Sequence, residues 1–161
     1  MANQSVGPAG KALFVKWEGL ELREYLDSGG APTIGIGHLL TPAERRSGKL
    51  TIQGETVRYR NGLTEAQCWA LLDQDLDPVE RCVNLRVTVP LRQNQFDALV
   101  SFSLNVGEAA FTGSTLLRLL NQGGHDQVPV QLRRWVMDNG IRVRGLVNRR
   151  EKEIALWNRA T

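Results

Sequence analysis

The chain has 161 residues, of which 42% are hydrophobic and 23% are charged, and these values are ordinary for a soluble globular protein. The length fits one domain, with room for two lobes and a buried core. The formal net charge of +3 is uneven, because residues 131–161 carry eight Lys or Arg against three Asp or Glu. A basic end suits an anionic partner, but it does not choose between nucleic acid, a membrane surface and bacterial cell wall.

Two absences in the sequence narrow the class of protein. The first 17 residues lack the apolar run of a signal peptide, and no run of about 18 apolar residues occurs anywhere. We therefore expect a chain that is made in the cytoplasm and has no stable membrane insertion. Cys68 and Cys82 would lie about 21 Å apart on one continuous helix, too far for a disulfide, which predicts two buried free thiols. Neither has a spaced Cys/His partner, so no metal or cofactor is expected.

The first 62 residues predict a helix followed by a small β region. In chain order we expect a loose lead-in over 1–10, an amphipathic helix over 11–23, a short extended segment over 24–27, a turn at 28–30 and a strand over 33–40. Residues 41–44 have the pattern of a capping box that opens a short helical turn. Residues 48–60 predict a β-hairpin with its turn at Gly54-Glu55.

The remaining residues predict helices. Thr64 opens one with a weak capping signal, and the pattern at Asp77-Pro78 predicts that this helix kinks or restarts. Further helices are expected over 90–105, 111–121, 126–138 and 146–159, the first of them buried. The predicted fold class is α+β, in a single domain over 1–161. Its small β lobe covers 24–60 and its mainly helical lobe covers 64–161, with helix 11–23 packing against the latter.

Glu18 and Asp27 are the first candidates for chemistry. Acid/base cleavage of a glycosidic bond requires two carboxyl groups, one protonated near the leaving oxygen and one supporting a water or the cationic transition state. Glu18 lies near a helix end among apolar neighbours, which suits a general acid, and Asp27 lies on an open turn beside glycines. From spacing alone, such a pair is more often solvated surface than a catalytic pair.

The wider pattern resembles the signature of the T-even-phage-type lysozymes, the endolysins of glycoside hydrolase family 24. The matching residues are Glu18-Gly19-Leu20, Leu22-Arg23, Tyr25, Asp27 and the run from Thr33 to Thr41. The resemblance implies a lysozyme-like fold with a cleft between the two lobes. It also implies that Glu18 is the general acid, that Asp27 helps to activate or replace the attacking water, and that Thr33 lies against that water.

The resemblance extends over most of the chain. Residues 74–77 match a helix segment whose Asp pairs with a strand His, which implies a pair between His38 and Asp75 that belongs to the scaffold rather than to catalysis. Residues 101–107 and 111–114 match the helix and turn on the far side of the cleft. Residues 145–151 match the piece that brings an Arg to the catalytic Glu. The best match there is Arg149, with Arg150 next. The implied substrate-binding residues are Leu39, Leu104, Asn105 and Ser114.

Two departures concern the sugar subsites. Residues 48–60 do not match closely, and Leu104 stands where an aromatic residue is usual. The predicted protein is an endolysin that hydrolyses the β-1,4 bond between N-acetylmuramic acid and N-acetylglucosamine in bacterial peptidoglycan. We expect a monomer that binds no nucleic acid, waits in the host cytoplasm and reaches the wall through a separate pore-former. The alternatives are a lytic transglycosylase, which needs the Glu but no water-activating Asp, and a wall-binding or nucleic-acid-binding module with a coincidental Glu.

Overall fold

The computed structural model describes residues 3–160 and divides the chain into two compact units. The first unit comprises Lys11–Pro78, and the second comprises Met1–Gly10 together with Val79–Thr161. Two helices, α1 (Pro8–Glu18) and α3 (Glu65–Arg86), run through the boundaries between the units.

A three-stranded antiparallel sheet follows α1 in the first unit. Its strands are β1 (Glu21–Leu26), β2 (Pro32–Gly35) and β3 (His38–Leu39), in that order. The helix expected to reach residue 23 ends at Glu18, because Gly19 takes the left-handed conformation at φ +79° and its N–H donates to the Val15 carbonyl at 2.7 Å. The single strand expected over 33–40 is a hairpin, because Gly35 and Gly37 both have φ near +69° and reverse the chain.

The capping box and the hairpin predicted over residues 41–60 are both present. Helix α2 (Pro42–Ser47) begins with the expected capping box between Thr41 and Glu44. Strands β4 (Lys49–Ile52) and β5 (Glu55–Arg58) form the expected hairpin. Its turn lies one residue earlier than predicted, at Gln53-Gly54, where both residues have positive φ as a type I′ turn requires.

Helix α3 begins with a stronger cap than predicted, and it shows no restart at its internal proline. Thr64 and Gln67 form a full capping box, with Gln67 N–H donating to Thr64 Oγ1 at 3.1 Å and Thr64 N–H donating to Gln67 Oε1 at 2.9 Å. The helix does not restart at Pro78, but continues to Arg86. A proline removes one backbone donor from the helix, and the bonds on either side are retained across the 22 residues.

The second unit is mainly helical. Its remaining elements are α4 (Gln93–Val106), α5 (Glu108–Thr112), α6 (Thr115–Asn121), α7 (Val128–Leu132), β6 (Met137–Asp138), β7 (Ile141–Arg142) and α8 (Arg144–Trp157). The expected buried helix is confirmed, and α4 packs against α8 with Phe96, Leu99 and Phe102 fully buried. The helix expected over 111–121 is two helices, because Ser114 caps a new one. The helix expected over 126–138 ends at Leu132, and residues 137–142 form a hairpin around Asn139-Gly140, both with positive φ.

The N-terminal segment is not the loose lead-in that its composition predicted. The first two residues lie outside the described part of the chain, but residues 4–7 are held by side chains of α3 and α4. Gln4 N–H donates to Asn84 at 2.9 Å, Val6 N–H to Glu80 at 2.6 Å and Gly7 N–H to Asp97 at 3.3 Å. Burial raises the pKa of Asp97 to about 6, against the opposing hydrogen bonds from Gln93 and Gly7. The segment is therefore part of the folded unit.

Cys68 is buried and Cys82 is half-buried, and neither forms a disulfide. The prediction of free thiols is confirmed, with full burial at Cys68 alone. Among the described residues, none of the helices has the length and apolar character needed to cross a membrane.

Candidate active site

Glu18 is the last residue of α1, and its side chain lies against the turn between β2 and β3. A Cβ placed on Gly37 would come within 2.9 Å of Glu18 Oε2 and 3.1 Å of its Cγ and Cδ. A Cβ this close to Glu18 Oε2 would force the carboxylate to shift, so glycine at residue 37 leaves room for the carboxylate in its present position. Gly37 therefore meets two demands at once, a left-handed backbone and room for Glu18.

Asp27 directly follows β1 and is fixed by the turn that it begins. Its Oδ1 accepts hydrogen bonds from the N–H groups of Gly29 at 2.9 Å and Ala31 at 2.8 Å. Its backbone N–H donates to the Ala31 carbonyl at 2.9 Å, which closes the turn. This is the Asx arrangement that aspartate favours in turns, and it uses one carboxylate oxygen while leaving the acceptor capacity of Oδ2.

Thr33 lies on β2, the middle strand of the sheet. It is paired in register with Tyr25 on β1 and with Leu39 on β3. Only 2% of Thr33 is exposed, and its hydroxyl donates to the Ala31 carbonyl at 2.9 Å. Leu39, predicted to bind substrate, is 58% exposed. An apolar side chain that remains this open on a paired strand is free to contact a ligand.

Tyr25 shows that the two carboxylates share one neighbourhood. Burial raises the pKa of its hydroxyl, and the negative charges of Glu18, Glu21 and Asp27 raise it further. Tyr25 was part of the sequence motif, but it was not predicted as a site residue. Its position two residues before Asp27 on the predicted extended segment was the signal that it would lie near that acid.

His38 lies between two carboxylates. Its Nδ1 is 2.7 Å from Asp75 Oδ2, as the pairing hypothesis required, and its Nε2 is 3.1 Å from Glu44 Oε1. Burial acts to lower the pKa of His38, but the hydrogen bonds and charges of Asp75 and Glu44 outweigh it and the net pKa is raised. We call His38, Asp75 and Glu44 the histidine cluster.

Glu44 was predicted only as a capping residue. Its Oε1 accepts from the Thr41 N–H at 2.9 Å as well as contacting His38, so one side chain joins the start of α2 to the β2–β3 turn. The capping box was readable from the sequence, but the second contact depends on the path of the chain between residues 38 and 44.

The other predicted site residues belong to the second unit. Leu104 is 37% exposed near the end of α4, and Asn105 beside it is also exposed. Ser114 is 7% exposed, and its hydroxyl donates to the Phe111 carbonyl at 2.7 Å and accepts from the Leu117 N–H at 3.1 Å. Ser114 therefore has a complete structural role as the N-cap of α6.

Arg149 and Arg150 lie on α8 around a buried acid that the sequence reading did not single out. Glu153 and Arg150 are both 0% exposed, and Arg150 Nε is 2.7 Å from Glu153 Oε1. Arg149 Nε is 3.4 Å from Glu153 Oε2, which also accepts from the Ser101 hydroxyl at 2.6 Å. We call Ser101, Arg149, Arg150 and Glu153 the arginine cluster. Burial acts against both charges, raising the pKa of Glu153 and lowering the pKa of Arg150.

The spacing of Arg149, Arg150 and Glu153 was the available signal, since residues three and four apart meet on a helix. Its burial could not be read from the sequence. Over residues 3–160, no group of three or more His, Cys, Asp or Glu side chains is placed to hold a metal ion.

Known structures with the same fold cover nearly the whole chain. An endolysin from Escherichia coli O157:H7 phage FAHEc1 is 30% identical, with a TM-score of 0.81 over 98% of this chain and 95% of that one. The muramidase domain of SpmX from Asticaccaulis excentricus is 32% identical, with a TM-score of 0.75 over 98% of this chain and 99% of that one. Among sequence relatives, the SAR-endolysin of Escherichia phage Mu is 39% identical over 141 residues, 88% of this chain and 74% of the relative.

These likenesses define a glycoside hydrolase of the lysozyme class that acts on peptidoglycan. The predicted α+β lysozyme-like fold and the predicted endolysin function, host lysis through the cell wall, are confirmed. The sequence profile of the phage lysozyme family matches residues 15–153, and the chain belongs to that family.

Proposed function

We propose that this lysozyme uses the catalytic arrangement of the T-even-phage type, with Glu18, Asp27 and Thr33 cleaving the β-1,4 bond between N-acetylmuramic acid and N-acetylglucosamine. The observation that carries the proposal is that the Glu18 carboxylate lies directly against the backbone of Gly37, in the turn between β2 and β3. The same small sheet holds Thr33 on its middle strand and Asp27 at the end of β1.

Glu18 acts as the general acid. Cleavage of a glycosidic bond requires a proton at the leaving oxygen, and a carboxyl group held in one position delivers it at little cost in orientation. The Gly19 cap ends α1 directly behind Glu18, and the Gly37 turn limits the space on its other side. Both contacts restrict the Glu18 carboxyl group to a position beside the turn between β2 and β3.

Asp27 and Thr33 act together on the attacking water. The Thr33 hydroxyl already donates to the Ala31 carbonyl, so it can only accept a further hydrogen bond. Asp27 is an acceptor as well, with Oδ1 occupied by two backbone N–H groups. A water that donates one hydrogen to Asp27 Oδ2 and the other to Thr33 Oγ1 presents its lone pairs to the sugar, and Asp27 then takes its proton.

In this proposal the chain is a single lysozyme domain with a small β lobe and a mainly helical lobe, and both lobes contribute substrate contacts. Leu39, Leu104 and Asn105 contribute exposed side chains to sugar binding, and Ser114 holds the turn before α6. Arg149 is proposed as a supporting residue rather than as a catalytic one. The enzyme acts as a monomer and needs no cofactor or nucleic acid.

The site of action is the cell wall, which the enzyme reaches through a separate pore-former. In this proposal, the net charge of +5 over residues 131–161 attracts the enzyme to anionic wall polymers. The SAR-endolysin relatives support action at the cell wall.

The decisive experiment is digestion of purified peptidoglycan by the wild type, Glu18→Gln and Glu21→Gln. Glu21 is the matched control, because it is an exposed carboxylate three residues further along and its replacement makes the same change in charge. Loss of a general acid lowers rates by about 10²–10⁴-fold, so Glu18→Gln should lose activity by that order with an unchanged circular dichroism spectrum. Glu21→Gln should remain close to the wild type.

The products separate the proposal from its rivals. Reducing ends on N-acetylmuramic acid support hydrolysis, whereas anhydro ends identify a transglycosylase that makes no use of Asp27. If Glu18→Gln degrades peptidoglycan at the wild-type rate, the proposed catalytic set is wrong, and lysis in cells by that variant would indicate a wall-binding role instead.

A further inference from the structure

Arg150 is a fully buried guanidinium in the second unit, and its contacts go beyond the ion pair with Glu153. Its Nη2 donates to Asn105 Oδ1 at 2.6 Å, and its Nη1 donates to the Trp135 carbonyl at 3.4 Å. Its Cζ lies 5.0 Å from the centre of the Phe102 ring, a cation–π distance. The guanidinium is therefore fixed in place from several sides.

This contact determines the orientation of the Asn105 carboxamide. A guanidinium carries donors only, so the Asn105 atom at 2.6 Å must be the oxygen, and the amide cannot be turned the other way. Nδ2 then points away from Arg150. Asn105 is exposed, and within residues 3–160 its Nδ2 makes no hydrogen bond to the protein. The result is an amide N–H₂ donor that is held on one side and open on the other.

We propose that Arg150 is a positioning residue that holds Asn105 as a fixed hydrogen-bond donor to an amide carbonyl of the glycan substrate. This rests on the proposed function. Both sugars of the glycan strand carry an acetamido group. The stem peptides attached to the strand supply further amide carbonyls. The partner of Nδ2 must be an acceptor, and the amide carbonyl is the strongest uncharged acceptor in this polymer.

A donor that is already fixed improves binding, because the side chain loses no further rotamer freedom when the substrate binds. A charge-assisted hydrogen bond of 2.6 Å removes the rotamer freedom that an exposed asparagine otherwise keeps. Trp135 supports the arrangement twice, through its carbonyl on Arg150 and through an edge contact of its ring with Phe102 at 5.5 Å. The buried cluster thus ends in one exposed polar group.

The test uses Asn105→Asp. Aspartate keeps an oxygen for Arg150 but replaces Nδ2 with a second oxygen, which cannot donate. We expect KM for peptidoglycan to rise about tenfold with kcat within about twofold, since a site that loses one hydrogen bond to substrate binds it about tenfold less well. Asn105→Ala should raise KM similarly without the added charge.

The role of Arg150 is tested in the double variant Arg150→Met with Glu153→Leu, which removes both buried charges together. This variant keeps Asn105 but leaves it unheld, so KM should rise as in Asn105→Asp. Adding Asn105→Asp to it should then change KM little. Full additivity of the two KM effects would overturn the positioning role.

Two modified substrates identify which amide carbonyl accepts the hydrogen bond from Asn105 Nδ2. De-N-acetylated glycan removes the acetamido carbonyls, and glycan stripped of stem peptides removes the peptide ones. The KM difference between the wild type and Asn105→Asp should vanish on the substrate that lacks the true partner. A difference that persists on both, or an unchanged KM on native peptidoglycan, would overturn the inference alone. A wild type with no hydrolytic activity would overturn the proposed function and this inference with it.

Discussion

The two units each contain a charged cluster, and the clusters differ in how they meet water. In the histidine cluster, 12% of the His38 side chain is exposed and about a quarter of each carboxylate partner is exposed, at 26% for Asp75 and 23% for Glu44. In the arginine cluster, Arg150 and Glu153 are 1% and 0% exposed in their side chains. The first cluster can exchange protons with solvent, and the second cannot do so without opening the fold.

The difference separates two uses of charge in one chain. The histidine cluster stabilises the β2–β3 turn by an amount that depends on pH, because burial lowers the pKa of His38 while its bonds to Asp75 and Glu44 raise it, for a net rise. In the arginine cluster, Arg150 and Glu153 must both be present, because each of these two buried charges is tolerated in the core only through the other.

The largest loss of stability is expected for Glu153→Gln, which leaves Arg150 buried without its main anion. Breaking a buried pair by removing one partner costs about 3–5 kcal/mol. The measurement is the free energy of unfolding in urea. Glu151→Gln is the matched control, because Glu151 lies on the same helix and accepts from Arg133 at 2.8 Å but is exposed. It should cause no measurable loss.

Replacing both buried charges sharpens this test. Arg150→Met with Glu153→Leu should recover most of the stability, since an apolar pair of similar volume avoids the desolvation of two ions. If Glu153→Gln costs no more than Glu151→Gln, burial of the arginine cluster has no energetic consequence and the contrast fails.

A smaller, pH-dependent effect is expected for the histidine cluster. Hydrogen bonds to charged groups contribute about 1.5–3 kcal/mol, so His38→Asn and Asp75→Asn should each cost about that amount at pH 6. If the two residues act as a pair, replacing both should cost about as much as replacing either. Purely additive losses would contradict the coupling.

The sign of the pH dependence follows from the raised pKa of His38. The contribution is fully present below the unfolded pKa of 6.5 and is lost as pH rises through the higher folded value. The stability difference between the wild type and His38→Asn should therefore shrink from pH 6 to about pH 9. Glu44→Gln isolates the second partner, because glutamine keeps the capping box while removing the charge. A difference that stays constant over this range would count against protonated His38.

The sequence predicted best what neighbouring residues decide. The capping box at Thr41 and Glu44, the hairpin over 48–60 and the spacing of Glu18, Asp27 and Thr33 all depend on short stretches of chain. The Asn139-Gly140 hairpin was equally local and was missed, although Asn-Gly is a strong type I′ turn signal.

The remaining errors concern contacts between distant residues. The N-terminal segment was predicted as loose because its own composition is polar and rich in glycine, but its donors are satisfied by Glu80, Asn84 and Asp97. Glu153 was overlooked because a charged residue on an amphipathic helix is usually at the surface. Its burial depends on Ser101 and Arg150, and no local pattern reports it.

The smallest effect on stability, and the most specific effect on activity, is expected at Gly37. Gly35 and Gly37 share φ near +69°, so alanine at either should cost about 1–2 kcal/mol from the left-handed backbone. They differ in what the new Cβ meets. At Gly35 the nearest atoms are Leu71 Cδ2 at 3.7 Å and Cys68 at 3.8 Å, which are ordinary contacts, whereas at Gly37 Glu18 Oε2 lies at 2.9 Å.

Gly35→Ala is therefore the matched control for Gly37→Ala. Both variants should unfold at similar urea concentrations, because the Glu18 carboxylate is the end of a flexible side chain and can move at little cost to the fold. That movement misplaces the general acid, and a displacement of about 1 Å can lower a rate about 100-fold. At saturating peptidoglycan, kcat should fall about 10- to 100-fold further in Gly37→Ala than in Gly35→Ala. Equal kcat values would show that the contact between Glu18 and the β2–β3 turn does not orient the Glu18 carboxyl group. In that case the histidine cluster, which stabilises the same turn, would have no part in the chemistry.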